Sequence, residues 1–119
     1  MKTLFKHDIF IDFAGKSRQF SVCAVDLDTN IIGLGISVQN PRDLPNIDLG
    51  KVVAKGKAQK RPAAIINIQG LTINHHLVLS LIDAFIFEFK NHPENFIAGY
   101  SKDRILYLKN PTAYLAKFK

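Results

Sequence analysis

The stretch Ile31-Ile32-Gly33-Leu34-Gly35-Ile36-Ser37-Val38-Gln39 decides how this chain folds. Side chains alternate across an extended backbone, so Ile32, Leu34, Ile36 and Val38 share one face, a plain core face. The opposite face is Gly33, Gly35 and Ser37 and carries almost no side chain. Glycine inside a strand weakens it and marks a close approach by another backbone or a ligand. We read the bare face as a docking surface for a helix or another subunit. Local bulges that twist the sheet are the other reading.

Working outward, Ile9, Ile11 and Phe13 alternate with Asp8, Phe10 and Asp12, which predicts a half-buried strand with its carboxylates towards water. Ala14-Gly15-Lys16-Ser17 is a turn cluster, Arg18 to Leu27 is again rich in β-formers, and Asp28-Thr29-Asn30 is a second turn. Short turns between such runs mean hairpins and an antiparallel meander. Downstream, the Asn40 to Pro45 segment ends the meander, since proline gives no ladder hydrogen bond. Asn46 or Asp48 can cap a helix reaching about Lys60, with Leu49, Val52, Val53 and Gly56 on one stripe. Ala63 to Gln69 predicts a fourth strand. Gly70 and Asn74 lead into a helix over about Asn74 to Asn91, closed by His92-Pro93. Arg104 to Lys109 and the tail through Pro111, Tyr114 and Phe118 add a short strand and a packed or swapped segment. The expected fold class is α+β: an antiparallel β-meander sheet packed by two α-helices, one domain over residues 1–119.

Composition narrows the function classes. A chain of 119 residues with 47% apolar content is long enough for one core and too apolar for disorder. The single cysteine, Cys23, excludes an internal disulfide framework and a multi-cysteine zinc site. Lys6, His7 and Asp8 interrupt any leader-like apolar run near the start. Leu77 to Phe89, broken by Asp83 and Glu88, is too short to cross a bilayer, which takes about 20 apolar residues. A cytoplasmic location without membrane contact is expected.

Several motifs come close and fail. Asp26 opens like a calcium loop, but the required glycine is Ile31 and the bidentate position is Ser37. Gly35 to Gln39 lacks the closing glycine of a nucleophile elbow. His75 and His76, about 100° apart on a helix, cannot chelate as an i, i+4 pair would. Cys23 in a strand reads as a small apolar residue. Asp8 and Asp12 on an exposed strand face are poorly set for acid/base work. The reading is a non-enzymatic protein with no cofactor and no metal.

Two features remain. The helix after Asn74 is apolar nearly all round: Val78, Leu81, Ile82, Phe85 and Phe89 form a stripe, with Leu79, Ile86 and Phe87 outside it. Covering several faces is difficult for so small a domain, so a homo-oligomer is expected. The charge, formally +6, is also uneven, for Gly50 to Arg61 holds Lys51, Lys55, Lys57, Lys60 and Arg61 without one acid. Such a run is either a solvated face or an anion site. It lacks interleaved aromatics for base stacking, which favours a compact phosphorylated ligand or a protein surface over a long nucleic acid strand.

The segment Gly35-Ile36-Ser37-Val38-Gln39-Asn40-Pro41-Arg42-Asp43, with Leu49-Gly50-Lys51-Val52-Val53-Ala54-Lys55-Gly56-Lys57-Ala58, covers about a quarter of the chain and resembles the anti-defence signal sponges that phages use against Thoeris immunity. The resemblance implies a non-enzymatic oligomer trapping a cyclic ADP-ribose-type messenger, or a cyclic oligonucleotide as in some relatives. Lys57 stands where an arginine would be expected. The candidate ligand-binding residues are Lys57, Arg61 and Arg104 for phosphate, with Arg18 and Asn91 behind them. Asn91 and His92 could hydrogen-bond a base or ribose. The alternative is a basic nucleic-acid-binding accessory protein or nuclease inhibitor.

Overall fold

In the computed structural model, which describes residues 3–12, 14–39, 47–68, 75–92, 106–108 and 111–116, the three β-rich runs become Leu4–Ile11 (β1), Ser17–Asp28 (β2) and Ile31–Val38 (β3). They pair antiparallel, with Phe5 opposite Cys23 and Cys23 opposite Gly35. The first turn is held by one Asp12 carboxylate oxygen, which accepts hydrogen bonds from the Ala14 and Lys16 amides, each 2.9 Å long. Gly15 adopts φ 77° there, a conformation that glycine enters without steric penalty. In the second turn the ladder shifts register between Asp26 and Asp28.

Helix Ile47–Lys60 (α1) lies on the glycine face of β3. Strand Ala64–Asn67 (β4) then pairs antiparallel with β3. Helix His75–Asn91 (α2) covers the opposite face, and Leu106–Leu108 (β5) pairs parallel with β4. The parallel pairing follows from the helical crossover between these two strands. Helix Pro111–Ala116 (α3) completes the order. The sheet runs β1-β2-β3-β4-β5 in space. The expected α+β architecture, an antiparallel meander with two helices packed on it, is therefore present.

The two faces of the sheet are built differently. The α2 face holds the larger core: Phe10, Phe20, Val22, Ile32, Leu34 and Ile66 meet Val78, Leu81, Ile82, Phe85 and Phe89. Phe89 sits edge-on to Phe10 at 4.9 Å between centroids and tilted on Phe20 at 4.8 Å, in the range aromatic pairs prefer. The α1 face is thin, with Cys23, Val25, Ala54 and Ala58 buried and Phe5 packed against them. It is thin because Gly33 and Gly35 let the helix backbone in. A Cβ on Gly35 would stand 2.2 Å from the Ala54 carbonyl oxygen and 2.3 Å from the Ala58 amide nitrogen. The docking reading of the bare face holds, and its occupant is a helix of the same chain.

Three expectations are corrected. In β1 the inward residue is Phe10, while Ile9 and Ile11 are exposed. Helix α2 covers the face that also bears Lys6 and Asp8, and these charges pair across its border with Asp83 and Lys90. In α1 the expected core stripe points outward: Leu49 is 59%, Val52 69% and Val53 37% exposed, whereas Ala54 and Ala58 are fully buried. A backbone-to-backbone approach leaves room only for small side chains. In α2 the surplus apolar surface is mostly covered within the chain, for Ile86 is buried and Leu79 half-buried, leaving Phe87 exposed. The expected Phe13 position, the Asn40 to Pro45 break, the Asn46 cap, the Gly70 to Asn74 lead-in, the Pro93 stop and the Phe118 tail lie outside the described residues.

Candidate anion-binding surface

Helix α1 carries the acid-free basic run, and its docking decides where each cation points. Lys51 leans over β1, with Nζ 5.7 Å from the Phe5 ring centroid, a cation–π contact. Lys55 is exposed and its charge is felt at Cys23. Lys57, Lys60 and Arg61 are all exposed at the C-terminal end, where the Arg61 amide donates to the Lys57 carbonyl at 2.7 Å. Cations there complement the partial negative charge of the last helical carbonyls, a structural role independent of any ligand. Among the described residues, the ion pairs engage Lys6 and Lys90 and leave Lys57 and Arg61 in solvent.

Among the described candidates, Lys57 and Arg61 lie apart from Arg18 and Asn91. Arg18 lies near the start of β2 on the α2 side; its Nε donates to the Gln39 carbonyl at 2.9 Å and its guanidinium stands over Phe10. Asn91 closes α2, where its side-chain amide donates to the Phe87 carbonyl at 2.9 Å. Both make structural contacts at the Phe10 end of the sheet. Lys57 and Arg61 lie on the opposite face, beside Ala58 and the Gly33 end of β3. From Arg18 to Val25, the partner of Gly33, the strand rises about 23 Å. His92 is exposed beside Asn91, with its amide bonded to the Glu88 carbonyl. Arg104 lies outside the described residues. Among the described candidates, one subunit thus brings together the pair Lys57 and Arg61.

Two polar contacts escaped the sequence reading. His7 Nδ1 and Ser21 Oγ form a 2.7 Å hydrogen bond beneath α1. Their directly opposed register in the first hairpin was the available signal. Burial first, then the charge of Lys51, lowers the His7 pKa below its ordinary 6.5. Ser21 is 5% exposed and wedged against Gly50, where a Cβ would come within 2.8 Å of Oγ. Its hydroxyl is thus part of the helix seat and is shielded from substrate. The second contact joins the Tyr114 hydroxyl of α3 to the Glu88 carboxylate of α2 at 2.5 Å, across a sequence gap no local pattern reveals. Cys23 is fully buried, and burial pushes its thiol up to about 11, the setting of an inert thiol. Gly35 to Gln39 runs on from the strand without the turn that a nucleophile elbow needs.

Comparison with protein-family models, curated proteins and solved structures gives no significant match. The functional reading therefore rests on the residues themselves.

Proposed function

We propose that this chain is a non-enzymatic, phage-type anti-defence protein that binds and sequesters a nucleotide-derived immune signal, of cyclic ADP-ribose or cyclic oligonucleotide type, as a homo-oligomer in the cytoplasm. The observation that supports this reading is the exposed cation pair Lys57 and Arg61, in a helix segment from Gly50 to Arg61 without an acid. Guanidinium forks take phosphate oxygens two at a time, and a lysine beside them adds a point charge. A sponge needs tight binding without turnover, and cations spaced one turn apart at the end of a helix share a phosphate compound at a lower ordering cost than cations on a loose chain. A small chain surrounds a ligand most readily where subunits meet, which is also how cations from separate faces could share one phosphate compound.

The test is calorimetry with cyclic ADP-ribose isomers and cyclic oligonucleotides. At least one is expected to bind tightly and to be recovered unchanged after the protein is denatured. Charge reversal at Lys57 and Arg61 should abolish binding, at a stability cost of about 1–2 kcal/mol from the lost helix-end charges, and Lys57→Gln with Arg61→Gln should weaken binding with a smaller stability cost. No binding by any of these compounds refutes the proposal. Binding to DNA or RNA that falls steeply with salt would establish the alternative of a basic nucleic-acid-binding accessory protein.

A further inference from the structure

Helix α1 presents two opposite apolar stripes, one packed on the sheet and one exposed. The inner stripe, Ala54 and Ala58, is sealed against β3. The outer stripe, Leu49, Val52, Val53 and Gly56, follows the i, i+3, i+4, i+7 spacing of a helix that packs against a partner. Its three large side chains are the exposed ones described above. Gly56 belongs to the same face, and a Cβ there would meet nothing within 4 Å, so nothing in the chain's own packing calls for glycine.

We propose that the outer stripe of α1 pairs with the same stripe of a second copy, antiparallel, about a two-fold axis near Val52 and Val53. The charges along the stripe select this partner and this direction. Asp48, Lys55 and Gln59 lie on one edge of the stripe at helical spacing. In an antiparallel pair each edge meets itself reversed. Asp48 then falls within about two residues, roughly 3 Å along the axis, of Lys55 of the partner subunit. A parallel pair would instead set this edge against the opposite edge of the second copy, which brings Lys55 within two residues of Lys57 of the partner subunit and takes Asp48 away from Lys55. On the other edge the two copies of Lys57 end up about 13 Å apart along the axis, beyond the screening length at physiological salt. Gly56 comes level with Leu49 of the partner subunit and gives that side chain room. An isologous contact of this kind closes on itself and forms a dimer.

This inference deepens the oligomer in the proposed function but is independent of any ligand. The experiment is sedimentation equilibrium of the full chain over a micromolar to millimolar range. The wild type is expected to associate with a dimer step, and Val52→Glu to shift dissociation to at least tenfold higher concentration while its circular dichroism is unchanged. Asp48→Lys and Lys55→Asp should each weaken the dimer, and the two combined should restore it. A monomeric wild type, or association that Val52→Glu leaves intact, overturns the proposal; so does a double variant no tighter than the singles. Calorimetry on the same samples separates the two ideas. A dimer of this pattern that binds no nucleotide refutes the proposed function and leaves the pairing standing.

Discussion

Replacing Gly35 by alanine adds one methyl group and should loosen the whole α1 face. The new Cβ would stand 2.2 Å from the Ala54 carbonyl oxygen, 2.3 Å from the Ala58 nitrogen and 2.8 Å from the Ala58 Cα, whereas ordinary contact begins at 3.4 Å. All three are helix backbone atoms, so no side-chain rotation gives relief. The helix must retreat by about 1 Å, and a gap of that size forfeits a quarter to a half of each dispersion contact along it. Overpacking usually destabilises by about 1–3 kcal/mol and by more where the neighbours cannot move, so about 3 kcal/mol is expected. For a chain of this length that is a fall in Tm of roughly 12 °C. The assay is urea unfolding at constant m-value, with two companions. Gly33→Ala meets one backbone atom, the Ala58 oxygen at 2.7 Å, and a movable Leu27 side chain, so it should be milder. Gly56→Ala enters open space in the single chain and, at concentrations below the dimer step, should stabilise by up to about 1 kcal/mol. A Gly35→Ala protein within about 0.5 kcal/mol of the wild type would refute the account of how α1 is seated.

Two further outcomes test contacts away from the glycine face. The His7 pKa is lowered in the folded chain, so protonation favours the unfolded state: its contribution to stability is present above pH 6.5 and is lost as pH falls below that value. The urea midpoint should therefore decline on acidification in this window, and His7→Gln should flatten the decline; an unchanged slope would show that His7 is not responsible. Tyr114→Phe removes the hydrogen bond to Glu88 and should cost about 1 kcal/mol, with early loss of α3 protection in hydrogen exchange; unaltered protection would mean that packing alone holds α3.

Local patterns reached much of this fold. Richness in β-formers located the Arg18 to Leu27 run, period-two alternation gave the faces of Ile31 to Gln39, and the turn residues between them gave the hairpins. The helix limits followed from composition to within a residue or two at Lys60 and Asn91. The site was less legible. Lys57 and Arg61 are where a helical reading of the basic run puts them, on an exposed surface. Arg18 and Asn91 ranked behind them, and the structure gives each a backbone partner: the first meets the Gln39 carbonyl and the second caps the end of its own helix. Those partners are backbone oxygens, which exist as acceptors only once the strand ends and helix turns are in place.

The sequence by itself determined that β3 would have one apolar face and one bare face, and left two readings of the bare one, a close-packed partner or local bulges. It did not determine which side of α1 would turn inward. On hydrophobicity alone Leu49, Val52 and Val53 are the stronger stripe, and the weaker one, Ala54 and Ala58, is what lies against the sheet. The reason is complementarity between distant segments. A surface made of glycine offers no side chains for large groups to interlock with, so leucine and valine would hold the helix away and leave a void. Alanine allows the two backbones to meet, and only the assembled sheet could impose that choice.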